Sequence, residues 1–255
     1  MRPYVLSLRR ATLLAMILSL PLSASDRQRG IYVSTSDSIL PHIADGNGWK
    51  TLITLVNTRS DDVQYTLAFH SSPAGQPWKL NIAGLGAVST ISGTIPIGVS
   101  VFFETTNPPG TTSVGWAELE DNYDRVAGMA VFRFSSEGLQ DTEAVVPFAN
   151  KYDTDFYIPF DNRAGFVTSI AIVNPSSHDV AEVFVEFRDL KGQRILQETI
   201  TLQPLEHLPF STIQRFPATA EKNGVIEFTS VRGVSALGIR FNPRFSFTSV
   251  HALSK

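Results

Sequence analysis

GFVTSIAIVNPSSHDVAEVFVEF, residues 165–187, alternates apolar and polar side chains on either side of a turn-forming cluster. The same plan stands earlier in the chain as GWKTLITLVNTRSDDVQYTLAF, residues 48–69. Gly48 answers to Gly165, Trp49 to Phe166, Thr51 to Thr168 and Val56-Asn57 to Val173-Asn174, each pair 117 residues apart. Period-two alternation bounded by turn residues marks half-buried antiparallel strands. Pro175 has no N–H to give a ladder, so the second-copy strand stops there. Past the turn, Val63, Tyr65, Leu67 and Phe69 align with Ala181, Val183, Val185 and Phe187 at a separation of 118. A one-residue change in turn or bulge absorbs that slip.

The repetition runs further. Leu40-Pro41-His42-Ile43-Ala44-Asp45 matches Ile158-Pro159-Phe160-Asp161. Gly115-Trp116-Ala117-Glu118-Leu119 matches Gly224-Val225-Ile226-Glu227-Phe228, and Val131-Phe132-Arg133-Phe134 is aligned with Gly238-Ile239-Arg240-Phe241. No long stripe of helical period follows the N-terminal segment. Short strands separated by turn signals define an all-β class, expected as two tandem antiparallel β-sandwich, immunoglobulin-like modules. Residues 40–149 form the expected first module, 150–155 a linker and 156–255 the second. Thr94 to Glu104 reads as one strand, Leu80 to Gly93 as a loop with a marginal strand, and Ser211 to Arg215 as a helical turn.

Residues 1–24 have the pattern of a cleaved signal peptide. Arg2, Arg9 and Arg10 precede an apolar run, Ala11 to Leu20, and Ala24 is a small residue suited to cleavage. That run is half the length of a membrane span, so the mature chain is expected to carry no transmembrane segment. Residues 25–39 are expected to be a flexible lead-in. The expected location is the periplasm or the extracellular space. Removing a leader with three Arg and no acid takes the formal charge from −3 to −6, which disfavours nucleic acid and anionic membrane as partners. There is no Cys, so no disulfide, and stability must come from packed apolar cores.

The chemistry of enzymes is hard to assemble from these residues. No G-x-S-x-G occurs, and His42, His70, His178, His207 and His251 show no zinc-ligand spacing. They read as surface or turn residues. Glu118 and Glu227 occupy matched places, but alternation turns them to solvent in different modules, which is the wrong arrangement for a carboxylate pair across one cleft. Asp45-Gly46-Asn47-Gly48 opens like a calcium loop, yet Trp49 stands at its fifth place and Val56 at its twelfth. No catalytic, cofactor or metal residues are assigned. Trp78, Trp116, Trp49 and Tyr123 are the candidate ligand-binding residues, as aromatic platforms for a sugar. Trp49 and Trp116 align with Phe166 and Val225, which favours packing for those two. The matched Arg133 and Arg240 read as structural, pairing with an acid or covering a sheet edge.

The runs Ala44-Asp45-Gly46-Asn47-Gly48-Trp49-Lys50-Thr51, Asn174-Pro175 and Leu237-Gly238-Ile239-Arg240-Phe241-Asn242-Pro243 resemble a group of exported bacterial proteins. That group carries F-A-D-G-G-G-W-x-T, then L-x-N-P, and ends in L-G-L-R-F-N-P. The second copy departs from it at Asp161-Asn162-Arg163-Ala164-Gly165. The resemblance implies export and tandem sandwiches and brings no activity. The expected role is a non-catalytic interaction or structural protein whose partner is a protein at the cell envelope. The alternative is a carbohydrate-binding module whose partner is a polysaccharide.

Overall fold

A computed structural model of the chain describes residues 37–121, 126–138, 140–150 and 153–255. The expected signal peptide and most of the lead-in lie outside them. Strands β1 (Asp37–Asp45), β2 (Trp49–Asn57), β3 (Val63–Ser71), β4 (Leu80–Ile82), β5 (Gly86–Val88) and β6 (Thr90–Ile95) come first. They are followed by β7 (Ser100–Glu104), β8 (Ser113–Asp121), β9 (Val126–Phe134), β10 (Thr142–Pro147) and β11 (Ala149–Asn150). The chain continues with β12 (Asp153–Asp161), β13 (Val167–Val173), β14 (Ala181–Asp189), β15 (Arg194–Leu202) and β16 (His207–Ser211). A helical turn α1 (Thr212–Arg215) and a 3-10 turn (Pro217–Thr219) lead to β17 (Asn223–Phe241), β18 (Phe247–His251) and β19 (Leu253–Ser254).

The fold is all-β and every strand pairing is antiparallel. In the first half, a sheet ordered β11-β1-β8-β3-β6 faces a sheet ordered β10-β9-β2-β7. The second half repeats that pairing. The first part of β17 lies between β12 and β14, with β19 and β15 outside them. Its second part lies between β13 and β18, with β16 beyond β13. The first and second parts of β17 answer to β8 and β9, and β17 runs through Val231-Arg232-Gly233 as one strand shared by both layers.

Alternation dictates the layers. In β2, Thr51, Ile53 and Leu55 point into the core, while the intervening positions are half-exposed. In β14, Ala181, Val183, Val185 and Phe187 do the same. Two differences from the sequence reading have clear causes. The stretch from Thr94 to Glu104 is broken at Pro96-Ile97-Gly98, where Val99 N–H bonds the Pro96 carbonyl (3.1 Å). The Leu80–Gly93 stretch forms the β4-β5 hairpin and most of β6 rather than a loop. The expected helical turn near 211–215 is present as α1.

Residues conserved between the two copies brace the layers. Thr51 Oγ1 donates to the Ala44 carbonyl (2.9 Å), and Thr168 Oγ1 donates to the Asp161 carbonyl (3.3 Å). Asn57 Nδ2 donates to the carbonyls of Asp61 (2.8 Å) and Ile95 (2.9 Å). Asn174 Nδ2 donates to Asp179 (2.8 Å), Leu202 (3.2 Å) and Gln203 (3.0 Å). Each buried amide therefore holds its turn and ties the end of one sheet to a strand of the other. Gly48, with φ of 97°, lies against the Ser135 carbonyl, which a Cβ would meet at 2.4 Å.

Residues Ser34–Lys255 form one compact unit. The core of the first half takes in Leu237, Ile239 and Phe247 from the second. The second half has its own core around Phe156, Phe187, Phe216 and Phe228. Among the described residues no helix is long and apolar enough to cross a membrane.

Candidate functional site

Two surfaces stand out: a seam where the halves meet, and an apolar sheet face left open on the first half. At the seam, Ile39, Trp116 and Val173 are fully buried together, with Leu205 against them. His70 stacks on Trp116 with ring centroids 4.1 Å apart. Trp49 lies between Phe134 (4.9 Å) and Phe247 (5.1 Å). Backbone contacts close the joint. His207 N–H donates to the Pro73 carbonyl (3.0 Å), and Ser249 Oγ donates to the Val145 carbonyl (2.6 Å).

The polar centre of the seam is a histidine pair. His42 Nδ1 and His207 Nε2 lie 3.2 Å apart, so one ring donates and the other accepts. That hydrogen bond needs at least one neutral ring. Burial pushes the His42 imidazole down to about 4, although the residue as a whole is part-exposed. His207 is fully enclosed; burial first and the neighbouring His42 second hold it well below the ordinary histidine range. The pair corrects the reading of these histidines as surface or turn residues. They are 165 residues apart in sequence, so no local spacing could announce them.

The open face belongs to the sheet β10-β9-β2-β7. One row across it runs Phe102, Thr54, Met129, Pro147; the next runs Glu104, Leu52, Val131, Val145. Phe102 is 60 % exposed, Val145 51 % and Met129 44 %. Ile97 and Val99, in the turn before β7, are exposed beside it. At one end Arg133 and Lys50 both approach Glu104, at 3.4 and 3.8 Å.

The sequence candidates fall as follows. Trp116 is fully buried and offers no face to a sugar; Trp49 and Trp78 are half-buried against the core. Trp78 covers Gly115, where a Cβ would meet its ring at 2.6 Å. Tyr123 lies outside the described residues. The three described candidates, Trp49, Trp78 and Trp116, are therefore not brought together into one platform. Glu118 and Glu227 do hold equivalent ladder positions, opposite Ala68 and Glu186 respectively. Glu227 is held below the usual carboxylate range by hydrogen bonds from Lys255 (2.9 Å) and Tyr157 (3.1 Å), with Arg188 near. Arg133 and Arg240 are not equivalent. Arg133 sits opposite Lys50, Arg240 opposite Thr168, and the counterpart of Lys50 is Val167. The two guanidiniums thus fall one position apart, on opposite faces. Arg240 pairs with Asp161 (3.0 Å) and lies over the Phe166 ring (3.9 Å). The Arg163 and Arg240 hydrogen bonds lower the Asp161 carboxyl, Arg163 contributing more.

Asp45, first residue of the calcium-like loop, is buried and accepts the Asn107 N–H (2.9 Å). Among the described residues no group of three metal-ligating side chains converges. A shallow polar groove of 560 Å³ lies over the other sheet of the first half, between Gln64, Thr66, Ser92, Thr94, Glu120 and Asp121. Compared with protein-family models, curated proteins and solved structures, the chain matches none.

Proposed function

We propose that this chain is an exported, non-catalytic interaction protein: two docked β-sandwich modules that present a binding face outside the cytoplasm. The observation that carries the reading is the open sheet face around Phe102, Met129 and Val145. Apolar side chains gathered on one face mark a contact surface more often than singly scattered ones do. The leader-like segment Met1–Ala24 supports export, and the seam supports a fixed presentation of that face. The test is capture from cell-envelope extract with protein lacking residues 1–24, compared with its Phe102→Asp variant. A partner retained by the first and lost by the second supports the reading. Equal capture by both overturns it, as does capture by neither from a protein that is monomeric.

The alternative is carbohydrate binding, favoured by the polar groove, whose hydroxyls, amide and carboxylates are the groups that bond sugars. Half-buried Trp78 is the aromatic closest to the expected stacking role. A glycan hit weakened by Glu120→Gln or Trp78→Ala would move the reading there.

A further inference from the structure

We infer that the open face of the first half is a self-association surface, occupied by the same face of a second copy of this chain. The inference deepens the interaction reading and rests on it.

The second half covers its equivalent face. Val173, Ala171, Leu237 and Ile239 hold the ladder positions that Val56, Thr54, Met129 and Val131 hold in the first half. All four are buried. Val173 packs on Ile39 and Trp116, while Leu237 and Ile239 join the first-half core. A face of this construction therefore already docks onto β-structure of this chain. Its first-half counterpart carries Leu52, Val56, Phe102, Met129 and Val131, with charges at one end, and has no cover among the described residues.

Two arrangements of a second copy would cover it. A head-to-tail stack would repeat the seam, placing the open face on the second-half counterparts of Ile39, Trp116, Ala68 and His70. Ladder equivalence makes those Tyr157, Val225, Glu186 and Arg188. There Glu186 pairs with Arg188, and Glu227 with Lys255. Laying an apolar sheet on that network would strip water from Arg188, Lys255 and what remains exposed of Glu227, a desolvation cost that the pairing does not return. A two-fold arrangement brings together charges that lie at one end of the face. The open face carries Lys50 and Arg133 against Glu104 and Glu143, two charges of each sign at its rim. Two copies can approach there without net repulsion, although the whole chain is negatively charged. Like faces in contact give an isologous pair that closes on itself.

The experiment is sedimentation velocity over a concentration series on protein lacking residues 1–24. The expected result is a concentration-dependent dimer. Phe102→Asp is expected to raise the dissociation constant by at least about thirtyfold, the effect of losing a central interface anchor. Val231→Asp, at a 95 % exposed position of the other half, is expected to leave it unchanged. Met129→Lys is the second variant, and melting curves check that both remain folded. A monomer throughout the series overturns the inference, as does a dimer that survives both variants. If the protein is monomeric yet captures an envelope partner through Phe102, self-association falls while the interaction reading stands. If it is monomeric and captures nothing, both fall.

Discussion

Acidification should loosen the seam through His42 and His207. In the folded chain burial depresses the His42 imidazole from 6.5 to about 4. In the unfolded chain the ring titrates near its ordinary value. Above pH 6.5 neither state holds the extra proton, and the histidine makes stability independent of pH. Below it the unfolded chain takes up a proton that the folded chain refuses, so folding stability falls as pH falls. The slope is about 1.4 kcal/mol per pH unit for one such group. Across the window from 6.5 to about 4 the loss is about 3 kcal/mol. His207 is depressed in the same direction and deepens the loss, because a second positive charge beside the first is unfavourable. Carboxylates such as Asp161 and Glu227 act lower: their folded values are depressed, so their contribution is kept above the ordinary carboxylate range and lost as pH falls through it. Urea melts of the wild type and of His42→Gln/His207→Gln, taken at intervals from pH 7 to 4.5, separate the two sources. The variant is expected to be less stable at pH 7 yet to lose less stability on acidification. Parallel stability–pH curves for the two proteins would refute the reasoning.

Asn57→Leu and Asn174→Leu should each cost about 2–4 kcal/mol in urea melts, because two or more buried carbonyls lose their donors. Gly48→Ala should destabilise by well over about 1 kcal/mol, since φ is 97° and the new Cβ meets the Ser135 carbonyl at 2.4 Å. Gly192→Ala is its control, with positive φ but nothing within 4 Å, and thermal melts should rank it milder. Trp116→Ala should cost about 3–5 kcal/mol, and its loss should remove the most blue-shifted component of tryptophan emission. Replacing Asp161 by Asn should lower stability at neutral pH and narrow the gap as pH falls through the ordinary carboxylate range, read by the same melts.

Much of the fold was legible because strand alternation is a local property. The 117-residue repeat around Asn57 and Asn174 marked β2 and β13, and the shift to 118 at Phe69 and Phe187 matches β3 and β14 as paired. The repeated Thr and Asn were visible as a pattern, but their work was not. Nothing local says that an Asn amide will reach a carbonyl on the opposite sheet, 38 residues away for Asn57. The aligned arginines misled for a related reason: matching letters ignored register, and a one-residue slip moves a strand side chain to the other face. The seam was illegible because it is made by residues far apart in sequence. His42 and His207 look like any exposed histidine until the halves are docked. The open face was hidden differently. Nothing local separates Leu52, Met129 and Val131 from inward strand positions, and only the finished sheets show which side is uncovered among the described residues.

The two copies keep their interior and change their exterior, and that division explains how one scaffold makes an asymmetric molecule. Thr51 and Thr168, Asn57 and Asn174, and the alternating apolar residues build the same pair of layers twice. The outer positions have diverged as sets. Ile39, Ala68, His70 and Trp116 form a surface able to be buried, while Tyr157, Glu186, Arg188 and Val225 form one that carries charges. The complementary faces diverged in the same sense. Val173 beside Leu237 is covered, and Val56 beside Met129 is open. With the seam specified by one apolar set and head-to-tail growth opposed by the Glu186–Arg188 and Glu227–Lys255 charges, the halves dock once within the chain. On the reading proposed above, the contact for a second copy is the face of β10, β9, β2 and β7.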